Sequence, residues 1–125
     1  MVNGIEHFAI CSRDTKRLND WYCELFGFEQ VYDNGNGTYF IKDQNGCMIE
    51  LISTESNDVS ACNDTPGLRH IAIGVSDFEG MTAKIMAKNV EIINEPKTSD
   101  KGISTFFFRD PDGNIVHIIN RKNPL

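Results

Sequence analysis

Histidine is scarce in this chain, with three in 125 residues: His7, His70 and His117. Long hydrophobic runs are missing. No stretch approaches the roughly 20 apolar residues a membrane-spanning helix needs, so no membrane partner is expected. Positive charge is also short, with Lys plus Arg at 12 against Asp plus Glu at 18 and a net charge of -6. No basic stripe exists to neutralise phosphates, which argues against nucleic acid and anionic membranes as main partners. The cysteines, Cys11, Cys23, Cys47 and Cys62, include no C-x-x-C pair. They read as free thiols in a reducing cytoplasm rather than as two bridges. Cys62, in a polar stretch, is expected to be the exposed one. The opening MVNGIEHF runs straight into a strand pattern without the apolar core of a secretory leader. A cytoplasmic chain is the expectation.

What is present is a repeat. A chain of 125 residues has the length of one domain and can bury an adequate core without staples. YFIKDQNGCMIELI (39–52) aligns without a gap to FFFRDPDGNIVHII (106–119). Phe40 matches Phe107, Asp43 matches Asp110, Gly46 matches Gly113 and Ile52 matches Ile119. The opening phrases IEHFAICS (5–12) and LRHIAIGVS (68–76) match as well. One domain, residues 1–125, made of two repeats at about 4–54 and 68–121, is the predicted organisation.

Each repeat reads as strand, helix, then strands, an α+β pattern. IEHFAI and RHIAIGV alternate with period two, as half-buried strands do. Phe8 and Ile10, and Ile71, Ile73 and Val75, form the faces expected to pack on helices. The histidine faces carry small neighbours, Ala9 in the first strand and Ala72 and Gly74 in the second. That leaves space in front of the imidazoles. The first helix is predicted from Asp14, as N-cap, to Gly27, with a stripe of Leu18, Trp21, Tyr22, Leu25 and Phe26. The second is predicted from Ser76, where Ser76-x-x-Glu79 makes a capping box. Its stripe is Phe78, Met81, Ile85 and Met86, and Asn89 is its stop. Both stripes are read as core packing. Further strands are predicted at 28–33, 38–42 and 47–53, and at 90–94, 104–109 and 114–120. DQNG (43–46) and DPDG (110–113) are turn signals that close hairpins. Asp110 and Asp112 are therefore turn residues. The polar stretch 54–67 is the expected connection between repeats.

In this alignment all three histidines fall at matching strand positions, and His117 falls opposite Glu50. These phrases resemble the vicinal oxygen chelate superfamily, which includes glyoxalase I, extradiol dioxygenases and bleomycin-resistance proteins. The resemblance covers nearly the whole chain and is most specific in IEHFAI, RHIAIGVSD and FRDPDGNIVHII. It implies paired βαβββ modules forming a curved mixed β-sheet cup with helices outside. It implies a homodimer with the site at the subunit interface. It also implies a divalent metal ion held by His7, Glu50, His70 and His117. The family pattern has glutamate at position 117, where glyoxalase I is thought to use it as a base; this chain has histidine. Glyoxalase I often carries an arginine for glutathione four residues after its first ligand, where this chain has Cys11.

Three imidazoles and one carboxylate suit Ni, Co, Zn, Fe or Mn, and affinity alone does not choose among them. Four protein ligands leave about two positions of an octahedron for adjacent substrate oxygens. The catalytic candidates are Glu50 and His117, with Glu50 favoured as the base because a metal-bound imidazole has no free lone pair. The expected function is a metal-dependent lyase or isomerase of the glyoxalase I type. It would act on a small carbonyl compound or its thiol adduct through a metal-bound enediolate. One alternative is a metal-free, bleomycin-resistance-like binder with a groove lined by Trp21, Tyr39 and Phe106. Another is a non-haem iron dioxygenase, which His117 disfavours because such sites use two histidines and one carboxylate.

Overall fold

The computed structural model describes residues 1–58 and 66–125. The chain divides into two compact units, Met1–Asp58 and Val59–Leu125. Half of the expected inter-repeat connection, residues 59–65, and Cys62 with it, lies outside the described residues. Cys11, Cys23 and Cys47 are free thiols.

Unit 1 runs β1 (His7–Ser12), α1 (Thr15–Phe26), β2 (Glu29–Asp33), β3 (Tyr39–Lys42) and β4 (Met48–Ser53). Unit 2 runs β5 (Ile71–Gly74), α2 (Phe78–Met86), β6 (Ile92–Thr98), β7 (Ile103–Arg109) and β8 (Ile115–Arg121). Each unit is a βαβββ module with a four-stranded mixed sheet, ordered β1-β4-β3-β2 and β5-β8-β7-β6. The first strand of each module lies parallel to its last. The others pair antiparallel through hairpins. The predicted α+β class and paired modules are the observed fold.

Local chemistry explains the elements. Asp14 caps α1 by accepting from Arg17 N–H at 3.1 Å. Gly27 ends the helix at φ 69, a left-handed position that suits glycine. In DQNG the Asp43 carboxylate accepts from the N–H groups of Asn45 and Cys47, both at 2.9 Å. In DPDG the buried Asp110 accepts from Asp112 and Asn114 in the same way. These carboxylates fix the hairpin registers, as expected of turn residues.

Packing gives each unit its own core. In unit 1 Leu18, Tyr22 and Leu25 of α1 are buried, as are Ile41, Ile49 and Leu51 of the sheet. Trp21 packs edge-on against Tyr22 at 4.8 Å, and Phe28 stacks on Tyr22 at 6.3 Å. In unit 2 the buried set is Ile85, Phe106, Phe108, Ile115, Val116 and Ile118. Truncating one such side chain to Ala costs about 2–5 kcal/mol.

Three expectations are corrected. The N-cap of α2 is Asp77, not Ser76, because its carboxylate accepts from Gly80 N–H at 2.9 Å. A carboxylate one residue further on takes the capping role, and Gly80 leaves it room: a Cβ there would lie 2.1 Å from an Asp77 oxygen. Met86, assigned to the buried stripe, is 40% exposed, because α2 ends there and only Ile85 of this helix is buried. Asn89, the predicted stop, adopts φ 53 three residues later. Strand β6 extends to Thr98, past the predicted 94, with shifts in register between Ile92 and Asn94 and between Asn94 and Lys97. It is the edge strand of its sheet, so Pro96 interrupts no central ladder.

Candidate functional site

The internal repeat reappears as register. In unit 1 Glu50 lies between Ala9 on one side and Phe40 on the other. In unit 2 His117 lies between Ala72 and Phe107. These are the matches read from the sequence, residue for residue. Alternation puts His7 on the same face as Ala9. His70 directly precedes β5 rather than lying within it. The structure thus groups the four candidate ligands as two pairs, one in each unit.

In unit 1 His7 Nε2 lies 3.5 Å from Glu50 Oε2. His7 Nδ1 lies 2.9 Å from Glu6 Oε1. A carboxylate can only accept there, so Nδ1 carries a proton and Nε2 is the ring nitrogen turned towards Glu50. The two atoms face each other where a shared cation, a proton or a metal ion, would sit. Phe40 stands edge-on to the His7 ring at 5.4 Å.

Unit 2 repeats the ring geometry with different polarity. Phe107 stands edge-on to His70 at 5.8 Å and stacks on His117 at 4.2 Å with an interplanar angle of 3°. The His70 and His117 rings are 4.7 Å apart, at right angles. Arg69 Nη1 lies 2.7 Å from His70 Nδ1. A guanidinium can only donate, so Nδ1 accepts and neutral His70 carries its proton on Nε2. Burial, then the Arg69 charge, hold the His70 pKa below its ordinary value. His117 is only 5% exposed, and its Nδ1 is buried without a hydrogen-bond partner. Burial first, then His70 and Arg69, push its pKa down to about 4. It is a neutral imidazole at neutral pH, the form that ligates metal.

An orphaned buried nitrogen costs about 1–3 kcal/mol, a cost that a ligated ion would remove. The donor chemistry of His117 therefore fits a divalent ion, whereas His70 would have to give up its Arg69 contact or its Nε2 proton to join it. Neither pair suffices alone: among the described residues, no group of three or more His, Cys, Asp or Glu side chains gathers as a metal site.

An open cleft of about 600 Å³ adjoins Glu50 in unit 1. Val31, Tyr32, Phe40 and Met48 form its apolar wall, and Asn34, Thr38 and Glu50 are its polar members. The groove expected from Trp21, Tyr39 and Phe106 is not this one. Phe106 is fully buried, since strand alternation sends it into the core and leaves Phe107 beside His117. Trp21 belongs to the aromatic cluster of α1. Sequence reasoning passed over Phe40 and Phe107 as site residues although both stand in the repeat. It also passed over Glu6 and Arg69, each adjacent to a histidine. Tyr32 had no signal beyond its place in a strand.

The sequence model of the Glyoxalase/Bleomycin resistance protein/Dioxygenase superfamily matches residues 4–118, and the chain belongs to that superfamily. Members bind small molecules, typically use divalent metals and are often dimeric. The chain is 31% identical to the uncharacterized protein YaeR of Escherichia coli strain K12, over 90% of this chain and 92% of that one. It is 27% identical to a probable lactoylglutathione lyase of Synechocystis, over 94% and 95%. Among solved structures, a glyoxalase/dioxygenase from Nostoc punctiforme matches with a TM-score of 0.82 at 15% identity, over 97% and 92%. At that identity the likeness concerns the fold. No helix among the described residues is long and apolar enough to cross a membrane.

Proposed function

We propose that this protein is a metal-dependent lyase or isomerase of the glyoxalase type, acting on a small carbonyl compound or its thiol adduct. His7 and Glu50 from unit 1, with His70 and His117 from unit 2, are the ligands of one divalent ion. The pairs come from one chain or from two copies of a homodimer, and the two units work as one catalytic domain. The matched registers of Glu50 and His117 are the observation that carries this reading. They give two unrelated donor types the same place in two modules.

When bound, the ion supplies Lewis-acid polarisation of a carbonyl oxygen and stabilises the negative charge that follows loss of the adjacent proton. One carboxylate among four ligands leaves a divalent ion with a net positive charge, which strengthens that effect. Glu50 is the base. It is a half-buried carboxylate on a β-strand, at the edge of an open cleft. Its Oε atom accepts the proton from the carbon next to the carbonyl and returns it to the neighbouring carbon. His117, neutral and fixed by its stack on Phe107, holds its place without competing for that proton.

The test is metal analysis of protein purified without added metal, followed by a methylglyoxal assay with several thiols and with none. Stoichiometric metal together with product formation supports the reading. Protein that takes up no metal from a panel of Ni²⁺, Co²⁺, Zn²⁺, Fe²⁺ and Mn²⁺ contradicts it.

A further inference from the structure

We infer that the unit 1 cleft selects an uncharged substrate carrying an aromatic or similarly flat apolar group, which rests on the reading of Glu50 as part of the reaction site. The argument starts from a register shift. Gln30 pairs with Ile41, but Tyr32, not Val31, pairs with Phe40. Val31 is the extra residue of a β-bulge. Regular strands send successive side chains to opposite faces, and a bulge relaxes that rule. Val31 and Tyr32 accordingly line the same cleft.

The bulge brings Tyr32 into line with the reaction site. Tyr32 pairs with Phe40, and Phe40 pairs with Glu50. Tyr32 meets Phe40 edge-on at 5.8 Å, and Phe40 meets His7. Tyr32 remains 53% exposed and Val31 40%, so two open apolar side chains share the cleft with a carboxylate. Met48 adds a polarisable thioether that suits aromatic faces. The volume falls within the range of small-molecule sites.

Charge narrows the class. Glu50 is the one charged residue among those lining the cleft. Asn34 Oδ1 is already committed to the N–H groups of Asn36 and Thr38. An anionic substituent lying along this wall, such as the carboxylates of a tripeptide thiol, would find no basic side chain to pair with, the proposed ion being engaged by the vicinal oxygens. A flat apolar group would meet Tyr32, Phe40 and Met48.

Unit 2 contains the same device without the same side chain. There Ile92 pairs with Phe108 and Asn94 with Phe107, so Asn94 stands where Tyr32 stands in unit 1. The module folds with an amide at this position. The tyrosine of unit 1 is therefore a specificity-determining residue, not a requirement of the bulge.

Titration calorimetry with two neutral hydroxyketones tests this. Hydroxyacetone and 2-hydroxyacetophenone share the vicinal oxygens and differ in methyl against phenyl. The phenyl compound is expected to bind the protein, with and without metal, about tenfold or more tightly. Tyr32→Ala, at an exposed position, should reduce that preference to about threefold or less with metal content unchanged. Tyr32→Phe should retain it. Equal affinities, a preference that survives Tyr32→Ala, or tighter binding of glutathione than of the phenyl ketone would overturn the inference. The two readings separate cleanly. Protein that holds no metal and turns nothing over, yet prefers the phenyl ketone through Tyr32, removes the lyase and leaves the cleft. Active metalloprotein that treats both ketones alike removes the cleft and leaves the lyase.

Discussion

In unit 1 the residue opposite Phe40 is Glu50, 3.5 Å from His7 Nε2; in unit 2 the residue opposite Phe107 is His117, buried and stacked. The same backbone position thus carries an anionic, half-exposed group in one module and a neutral, enclosed one in the other. The histidines differ as well. Glu6 holds the proton of His7 on Nδ1, whereas Arg69 leaves the proton of His70 on Nε2. Duplication preserves strand register, because register is tied to the hydrophobic pattern of the core face. It leaves the chemistry of the other face free to diverge. Under the proposed function the divergence would divide the work, with the base and the substrate wall in unit 1 and a rigid, uncharged ligand pair in unit 2.

The largest predicted effect separates the two matched positions. Glu50→Gln should keep metal and lose turnover by about 10²- to 10⁴-fold, as expected for removal of a general base. His117→Ala should lose the metal itself. The reverse pattern, read by metal analysis and initial rates, would exchange the roles of the two units.

A second contrast appears on acidification. The folded pKa of His117 is depressed to about 4, from an ordinary value near 6.5. Below that ordinary value the unfolded chain binds protons that the native state refuses, so stability is full at neutral pH and falls as pH drops from about 6.5 towards 4. His70, also depressed, acts in the same direction. The loss should be on the order of 2–3 kcal/mol. His117→Gln should remove most of it. Urea midpoints of chelator-treated protein at pH 7 and pH 4.5 measure the difference, and a midpoint shift equal in both proteins would contradict the assignment.

The histidine neighbours give a third contrast. Glu6→Ala should weaken metal binding, by about tenfold or more, since a carboxylate behind a ligating imidazole orients it and raises its basicity. Arg69→Ala should strengthen binding, because it frees His70 to place its lone pair on Nε2. Competition against a colorimetric chelator reads both, and equal shifts in one direction would remove the contrast. The smallest effect concerns the helix caps. Asp14→Ala and Asp77→Ala should each cost about 1 kcal/mol in denaturant unfolding, with no change in metal content.

Much of this molecule can be read from its residues. Turn carboxylates at Asp43 and Asp110, the cap at Asp14 and the stop at Gly27 act through bonds within a few positions, so local sequence announces them. The equivalence of Glu50 and His117 was legible because a repeat compares one part of the chain with another. Other features depend on neighbours that no local pattern names. Asp77 displaced Ser76 as cap because Gly80 made room for it. Phe106 and Phe107 look alike in sequence, yet alternation buries one and places the other on His117. The bulge at Val31 shifts Tyr32 by one place, and a run of β-formers does not show where such a shift falls.

The central claim is that two unlike pairs make one site. Metal stoichiometry in wild type, in His7→Ala and in His70→Ala tests it most directly. The account predicts one ion per chain in the wild type and loss of that ion when either histidine is removed. Retention of full metal by either variant, or an ion held by one unit's pair independently of the other, would contradict it.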